Sequence, residues 1–199
     1  EDSKSSIEED DVENESDTES QLQLQNNSEL QQILEHLKSL IDSGKDPKYS
    51  ALKNTLKSLI QDGFSPIVFC RFIATAKYLE EMIKKDFKKS GAEILCITGD
   101  MSPEDRRYLI ENLPFDKQHI LIATDCLSEG INLQEHFDAI VHYDLSWNPT
   151  RHEQREGRVD RFGQNSPLVK SVMLYGANNP IDGLILNVIL RKSESIKKQ

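Results

Sequence analysis

The sequence predicts an α/β fold in which a mainly parallel central sheet is covered by helices on both faces. Short apolar runs alternate with longer segments that carry apolar residues every three or four positions, a pattern typical of strands alternating with amphipathic helices. Many of the unusual polar and glycine residues directly follow the apolar runs. Ligands of parallel sheets gather at the carboxyl ends of the strands, so we expect the functional residues along one edge of the sheet.

Residues 1–27 are acidic and polar, with almost no large apolar side chains. Of the formal net charge of −10, a charge of −9 falls between Glu1 and Ser20, which span ten acidic residues and one lysine. We interpret 1–27 as a disordered linker, because it cannot bury enough apolar surface to offset the entropy lost on ordering. The alternative is that this acidic segment mimics nucleic acid and inhibits the rest of the chain in cis. A chain that begins with Glu1 rather than methionine also suggests a fragment of a longer protein.

Two amphipathic helices are predicted in a helical extension over residues 28–63. Ser28 fits the capping position of the first helix, whose apolar stripe consists of Leu30, Ile33, Leu34, Leu37, Leu40 and Ile41. Pro47 fits the first turn of the second helix, which stops near Gly63 and carries Leu52, Leu56, Leu59 and Ile60. We expect both helices to pack against the domain that follows.

Residues 64–192 have the alternating pattern of the α/β domain, and 193–199 form a tail. Strands are predicted over residues 67–70, 94–97, 120–123, 139–142 and 168–174. Helices are predicted over 75–89, from 103 onward, over 151–161 and over 181–191. Ser102 and Pro103, followed by two acidic residues, are typical of a helix start.

Composition excludes several classes of protein. The three cysteines, Cys70, Cys96 and Cys126, form no pair with metal-ligand spacing, so we expect no metal site and a reducing environment. No apolar stretch is long enough to cross a bilayer, and the acidic first residues are not a signal peptide. We therefore expect a soluble intracellular protein, either cytoplasmic or associated with the nucleoid.

The strongest functional signal lies between Gln154 and Arg161. On a helix, Arg158 and Arg161 project from the same face, and Gly157 allows close backbone approach. Two guanidinium groups beside a glycine and a glutamine suit a polyanion such as a triphosphate. A surface helix whose arginines pair with neighbouring glutamates is the alternative that the charge pattern leaves open.

A second signal follows the third predicted strand, over residues 123–133. Thr124 and Ser128 offer hydroxyl groups, and Gly130 offers backbone access. Hydroxyl groups and free amides at a strand-to-helix junction suit phosphate oxygens. The alternative is a capped turn, in which Thr124 and Asp125 only satisfy nearby backbone groups.

In this order, the segments resemble the motifs of the second RecA-like lobe of superfamily-two helicases. Residues 67–72 and the following helix resemble motif four, and residues 123–133 resemble motif five. Residues 154–161 match the Gln-x-x-Gly-Arg-x-x-Arg signature of motif six. The resemblance covers residues 64–192 and implies a RecA-like three-layer fold.

The sequences flanking motif six narrow the resemblance. Residues 144–149, Asp-Leu-Ser-Trp-Asn-Pro, and residues 162–164, Phe-Gly-Gln, are similar to the Swi/Snf-like branch. Residues 181–183, Ile-Asp-Gly, resemble bacterial members akin to the RNA-polymerase-recycling translocases. These flanks favour a translocase on double-stranded DNA over a duplex-unwinding helicase that acts on RNA.

The resemblance also implies roles for single residues. Arg158 and Arg161 would reach the phosphates of ATP, which a first RecA-like lobe of the same polypeptide holds with Mg²⁺. The positions near the nucleotide and the cleft between the lobes are Gln154, Gly157, Gly130 and Asn132. Many relatives have an aspartate at the last of these positions, and an asparagine carries no charge. The positions implied to contact the nucleic-acid backbone are Arg71, Thr98, Gly99, Thr124 and Ser128.

A complete motor also needs a phosphate-binding Gly-x-x-x-x-Gly-Lys-[Ser/Thr] loop and an acidic magnesium motif. Neither pattern occurs in these residues. We therefore expect this chain to be a second motor lobe that shows no ATPase activity alone. A scaffold without catalytic function that binds nucleic acid or protein is the alternative.

Other polar residues around motif six are interpreted as structural. His142 is expected to be a hydrogen-bonded strand residue rather than an acid or base. His152 and Glu153 have no third ligand at metal spacing. Trp147 is expected to pack at the edge of the domain, with base stacking as the alternative, and Asn148 with Pro149 is expected to form a turn.

Overall fold

The structure, a computed structural model, describes residues 28–42, 46–127, 131–146, 148–176 and 179–196. It divides into two compact units, Glu1–Pro47 and Lys48–Gln199. In the first unit, α1 (Ser28–Asp42) is an amphipathic helix, and the side chains of Ile33 and Leu37 on its apolar stripe are exposed. The linker predicted over residues 1–27 lies outside the described residues.

The second unit is built around a parallel sheet of five strands. The strands are β1 (Pro66–Phe69), β2 (Glu93–Ile97), β3 (His119–Ala123), β4 (Ala139–His142) and β5 (Lys170–Met173). Their order across the sheet is β2-β3-β1-β4-β5, and every neighbouring pair is parallel. The prediction of a mainly parallel sheet is therefore confirmed. Parallel neighbours need crossover connections, which the helices predicted between the strands supply.

Helices cover both faces of this sheet. They are α2 (Pro47–Gln61), α3 (Ile73–Asp86), α4 (Pro103–Glu111), α5 (Pro149–Glu156) and α6 (Pro180–Ile196), with a short 3₁₀-helix at Leu133–Glu135. On one face, α2 and α3 pack on a core that includes Val68 and Ile122. On the other face, Ile110 of α4 and Val159 pack on Ile67 and Leu121. The result is the expected three-layer architecture.

α2 belongs to the core of the second unit. Leu52, Leu56 and Leu59 are buried in the same cluster as the side chains of β1, β3 and β4. The Tyr49 hydroxyl donates to Asp86 Oδ2 at 2.7 Å, which fastens α2 to the end of α3. As predicted, α2 begins at Pro47 and ends just before Gly63, whose φ is +92°.

α4 also begins as its sequence predicts. The Ser102 hydroxyl accepts a hydrogen bond from the Asp105 amide at 3.1 Å, and Pro103 takes the first helical position. The helix positions Arg106, whose Nη1 donates to the Cys126 carbonyl at 2.7 Å and Nη2 to the Gly99 carbonyl at 2.9 Å. Arg106 therefore holds together the segments that follow β2 and β3.

The prediction of a helix over residues 151–161 is wrong at both ends. Asn148 is the N-cap of α5, with its Oδ1 accepting from the Thr150 amide at 3.0 Å, and Pro149 is the first helical residue. The helix ends at Glu156, with Gly157 as its C-cap. Val159 then turns into the core and is fully buried. Arg158 and Arg161 therefore lie in turns beyond α5, not on one face of a helix.

Within the described residues, none of the helices combines the length and the apolar character needed to cross a membrane.

Candidate functional site

The carboxyl ends of four strands meet at one edge of the sheet. The Cys70 amide donates to the Ala123 carbonyl at 2.9 Å, and the Thr124 amide donates to the Ile97 carbonyl at 3.2 Å. The Tyr143 amide donates to the Phe69 carbonyl at 3.0 Å. These bonds extend the sheet past its strands and gather at one edge the predicted residues Arg71, Thr98, Gly99 and Thr124.

The two threonines of this edge are mostly covered. Thr98 is 4% exposed and Thr124 is 6% exposed. The Thr98 hydroxyl donates to Asp100, whose other oxygen accepts from Lys77 Nζ at 3.1 Å. Hydrogen bonds from Thr98 and from Lys77 lower the pKa of Asp100. The Thr98 hydroxyl is thus already occupied within the fold, whereas Gly99 is exposed beside it.

Arg71 lies exposed at the same edge, directly after β1. Its backbone amide donates to Asp144 Oδ2 at 3.1 Å, and its guanidinium group lies 5.1 Å from the centre of the Phe72 ring. Asp144 Oδ1 accepts from Lys48 Nζ at 2.7 Å. The carboxylate of Asp144 therefore fixes the backbone that presents Arg71.

Arg155 and Asp125 form an ion pair that joins α5 to the segment after β3. Arg155 Nε lies 2.6 Å from Asp125 Oδ1, and Nη2 lies 2.8 Å from Oδ2. The third nitrogen, Nη1, donates to the Asp144 carbonyl at 3.2 Å. Arg155 is only 4% exposed, and two parallel bonds of this kind are strong and directional. This pair is not predicted from the sequence, in which Arg155 has no assigned role and Asp125 fits a turn.

Two buried histidines lie between α5 and β4. His142 is fully buried and His152 is 2% exposed, and their Nδ1 atoms are 3.3 Å apart. His142 Nε2 lies 3.3 Å from Glu156 Oε1, so the prediction that His142 is satisfied inside the fold is confirmed. Burial, reinforced by His142, lowers the pKa of His152 to about 4. The hydrogen bond from His142 lowers the pKa of Glu156 even though burial opposes it.

The segment Gly157–Gln164, here called the arginine loop, presents the two predicted arginines. Arg158 is half-buried and Arg161 is exposed. Neither guanidinium group forms a hydrogen bond or an ion pair with any part of the chain that the structure describes. Both cations are therefore available to an external anion. Gln154, exposed on α5, likewise has no hydrogen-bond partner among the described residues.

Gln164 fixes the end of the arginine loop. Its Nε2 donates to the Phe137 carbonyl at 3.0 Å and to the Val159 carbonyl at 2.9 Å. Its backbone amide donates to the Arg161 carbonyl at 3.1 Å, closing a turn in which Gly163 has a φ of +93°, a conformation that favours glycine. Because Phe137 precedes β4, Gln164 anchors the end of the arginine loop near the start of that strand.

The predicted residues after β3 are only partly described. Asn132 is exposed, and its amide donates to Glu135 Oε1 at 3.1 Å. Ser128 and Gly130 lie outside the described residues, as does Trp147. The described ranges contain no group of three His, Cys, Asp or Glu side chains that could hold a metal ion.

Comparisons with known proteins agree with this architecture. A family model described as the helicase conserved C-terminal domain matches residues 47–163. The uncharacterized ATP-dependent helicase YqhH of Bacillus subtilis is 31% identical over 134 residues, which are 66% of this chain and 22% of that protein. A probable ATP-dependent RNA helicase of Methanocaldococcus jannaschii is 31% identical over 61% of this chain and 31% of its own length. The chain thus spans less than a third of these curated relatives.

Solved structures share the fold. The crystal structure of the C-terminal part of the Fun30 ATPase domain matches with a TM-score of 0.62 and 26% identity, over 71% of this chain and 44% of that one. The SWI2/SNF2 ATPase core of Sulfolobus solfataricus, solved with double-stranded DNA, matches with a TM-score of 0.50 and 23% identity, over 64% of this chain and 26% of that one. From the family match over residues 47–163 and this shared fold, the chain belongs to the helicase C-terminal domain family of superfamily-two helicases.

Proposed function

We propose that this chain is the second motor lobe of an ATP-driven nucleic-acid translocase of the Swi/Snf type. The observation that carries the proposal is the pair Arg158 and Arg161, two guanidinium groups with no hydrogen-bond or ion-pair partner among the described residues, on a loop whose end is held by Gln164. An unpaired arginine is a permanent cation whose planar fork matches phosphate oxygens. In a chain of the helicase C-terminal family, a nucleoside triphosphate is the polyanion that best explains this pair of arginines.

In this mechanism the nucleotide binds between two lobes. A first lobe of the same polypeptide holds ATP and Mg²⁺, and Arg158 and Arg161 stabilise the charge that develops on the phosphates during hydrolysis. An arginine supplied in this way accelerates phosphoryl transfer about a thousandfold or more, which is roughly 4 kcal/mol of transition-state stabilisation. Gln154, Gly157, Gly130 and Asn132 line the nucleotide side of the cleft.

The nucleic acid would lie along the carboxyl edge of the sheet. Arg71, Gly99, Thr124 and Ser128 contact its phosphates there, and Thr98 joins them only where its hydroxyl is released from Asp100. Closure of the lobes around ATP then moves this grip along the strand. Phosphate contacts carry no sequence information, so translocation is independent of sequence and weakens as salt rises.

We further propose double-stranded DNA as the track and the RNA-polymerase-recycling translocases as the branch. The similarity of the fold to a SWI2/SNF2 core bound to double-stranded DNA supports the first point. The segment Asp144–Pro149 and the Phe-Gly-Gln run that ends the arginine loop support it as well. The run Ile181–Gly183 supports the second point.

A fusion of this chain to its natural first lobe tests the proposal. We expect ATPase activity that double-stranded DNA stimulates, and a loss of about a thousandfold in kcat on Arg158→Ala or Arg161→Ala. Arg107→Ala, which removes an exposed arginine of α4, is the matched control and should retain the activity. Unchanged hydrolysis in both loop variants would show that neither arginine reaches the nucleotide.

A duplex-unwinding helicase that acts on RNA is the second candidate, because the Methanocaldococcus jannaschii relative is named as an RNA helicase. Strand displacement of RNA duplexes by the fusion protein, without translocation on double-stranded DNA, would favour it. A scaffold without catalytic function would give no nucleotide hydrolysis under either condition.

A further inference from the structure

A continuous series of hydrogen bonds runs through the two buried histidines. It begins at the Ser146 amide, which lies 3.1 Å from His152 Nε2. It passes between the Nδ1 atoms of His152 and His142 at 3.3 Å and reaches Glu156 Oε1 at 3.3 Å. The Ser171 hydroxyl of β5 donates to the same carboxylate oxygen at 2.6 Å. This series is called the histidine relay below.

The histidine relay attaches α5 to the sheet through His152, which contacts His142 of β4, and through Glu156, which contacts His142 and Ser171 of β5. Ser146 lies just before the helix, and Glu156 is its last residue. The backbone carbonyl of Glu156 accepts from the amides of Val159 at 3.0 Å and Asp160 at 2.8 Å. The residue whose side chain ends the relay therefore also begins the turn that carries Arg158.

We propose that His142 and His152 are positioning residues, a hydrogen-bonded pair of imidazoles that fixes α5 and thereby places the arginine loop for hydrolysis. The kinetic part of this inference rests on the proposed function, and the structural part does not. Arg155 already joins α5 to Asp125, and the histidine relay adds the attachment to β4 and β5.

The hydrogen-bond partners assign one tautomer to each ring. The Ser146 amide and the Ser146 carbonyl oxygen both face His152 Nε2, at 3.1 Å and 3.2 Å. With the amide as the partner, Nε2 accepts and His152 Nδ1 carries the proton. His142 Nδ1 then accepts, and His142 Nε2 donates to the carboxylate of Glu156. The opposite arrangement would point a lone pair of His142 at an ionised carboxylate, which is repulsive.

A second proton on the pair would break this order. The Ser146 carbonyl oxygen lies 3.2 Å from His152 Nε2, so a protonated His152 would donate to it and leave the Ser146 amide without its acceptor. The charged groups facing the pair are Arg155, which opposes a further cation, and Glu156, which favours one. The other elements around the pair contribute the Ser171 hydroxyl and the ring of Phe69, whose centre lies 6.5 Å from that of His142.

The tautomers can be measured directly on this chain. Long-range ¹H–¹⁵N correlation of the imidazole rings at neutral pH should show His152 neutral and protonated at Nδ1, and His142 protonated at Nε2. A proton on His152 Nε2, or none on His142 Nε2, would overturn the relay. This measurement does not depend on ATPase activity.

Kinetics of the fusion protein test whether the relay positions the arginine loop. His142→Leu removes the donor to Glu156, whereas His142→Gln retains an N–H near the position of His142 Nε2. We expect kcat to fall about tenfold or more in the leucine variant with the KM for ATP changed by less than about twofold, and the glutamine variant to recover most of the loss. His36→Asn on exposed α1 is the control.

Thermal melts accompany these assays, so that kcat is compared well below each melting temperature. Equal kcat in folded His142→Leu and wild type would reduce the relay to a stabilising contact. If Arg158→Ala still impairs hydrolysis in that case, the proposed function stands and only the relay fails. If Arg158→Ala is also without effect, the proposed function fails with it.

Discussion

Arg155 is the residue on which the charged contacts around α5 converge. Its guanidinium group binds both oxygens of Asp125 and the Asp144 carbonyl, and it lies 5.2 Å from the centre of the Phe69 ring. A buried cation with these partners is stable only while the carboxylate remains, because an unpaired buried charge is costly. Arg155 and Asp125 thus hold α5 and the segment after β3 in a fixed relation.

Asp125→Asn should therefore destabilise the chain. The substitution leaves Arg155 buried without its counter-charge, and since Asp125 is 28% exposed we expect a loss of about 2 to 3 kcal/mol in the free energy of unfolding. Urea denaturation measures it. Asp116→Asn, which changes an exposed carboxylate, should stay within about 0.5 kcal/mol of wild type. Similar losses in both variants would show that the pair contributes nothing specific.

His152 gives the stability of the chain a pH dependence. Burial lowers its pKa from 6.5 to about 4, so between pH 6.5 and about pH 4 His152 is protonated in the unfolded chain but neutral in the folded chain. The free energy of unfolding must then fall as the pH falls through this window, by roughly 3 kcal/mol in full, and the contribution levels off below it.

Urea denaturation at pH 7 and pH 5 checks this dependence. Because the lowered pKa of Glu156 also makes the chain less stable in acid, the informative quantity is the difference between wild type and His152→Gln. The variant should lose less stability than wild type between the two pH values. An identical loss would mean that His152 does not stay neutral in the folded chain.

At the scale of the element, α5 depends on its first residues. It has only eight residues, so its intrinsic stability is low and its ends matter. Asn148→Ala removes the acceptor for the Thr150 amide and should cost about 1 kcal/mol. Asn148→Asp keeps an acceptor and should cost less. Denaturation of the two variants in parallel measures the difference, and equal losses would contradict the capping role.

The elements that could be predicted are those with local signals. α4 has its cap, its proline and its acidic first turn within the four residues 102–105. The strands are short apolar runs, and their carboxyl ends meet because parallel strands leave no other arrangement. The end of α5 could not be predicted, because the positions of Val159 and Gln164 depend on partners that are distant in the sequence, among them the Phe137 carbonyl. Asp125 and Arg155 are thirty residues apart, and nothing local in either segment indicates that they pair.

At the scale of the whole molecule, the end of the arginine loop and the carboxyl edge are anchored to different parts of the sheet. Gln164 draws the loop toward the start of β4, whereas Arg71, Thr98 and Thr124 lie beyond the ends of their strands. The resemblance implies a nucleotide for the arginines and nucleic acid for the strand-end residues, but nothing in the sequence indicates that Gln164 contacts the Phe137 carbonyl.

The isolated chain should hydrolyse no ATP. It carries neither a phosphate-binding loop of the Gly-x-x-x-x-Gly-Lys-[Ser/Thr] type nor an acidic magnesium motif, and free arginines alone do not hold Mg-ATP. Release of phosphate by the purified chain, with and without double-stranded DNA, is the measurement. Turnover that disappears on Arg158→Ala would contradict the need for a first lobe.

The packing of α2 determines where the lobe can be cut. Tyr49, Leu52, Leu56 and Leu59 fill the face of the sheet around Val68 and Ile122. Burial of side chains of this size contributes about 1.5 to 3 kcal/mol each, so together they match the whole stability of an ordinary domain. A version shortened to start at Phe64 keeps the residues that resemble motifs four, five and six but exposes an apolar face of the sheet. It should aggregate rather than refold after dilution from urea.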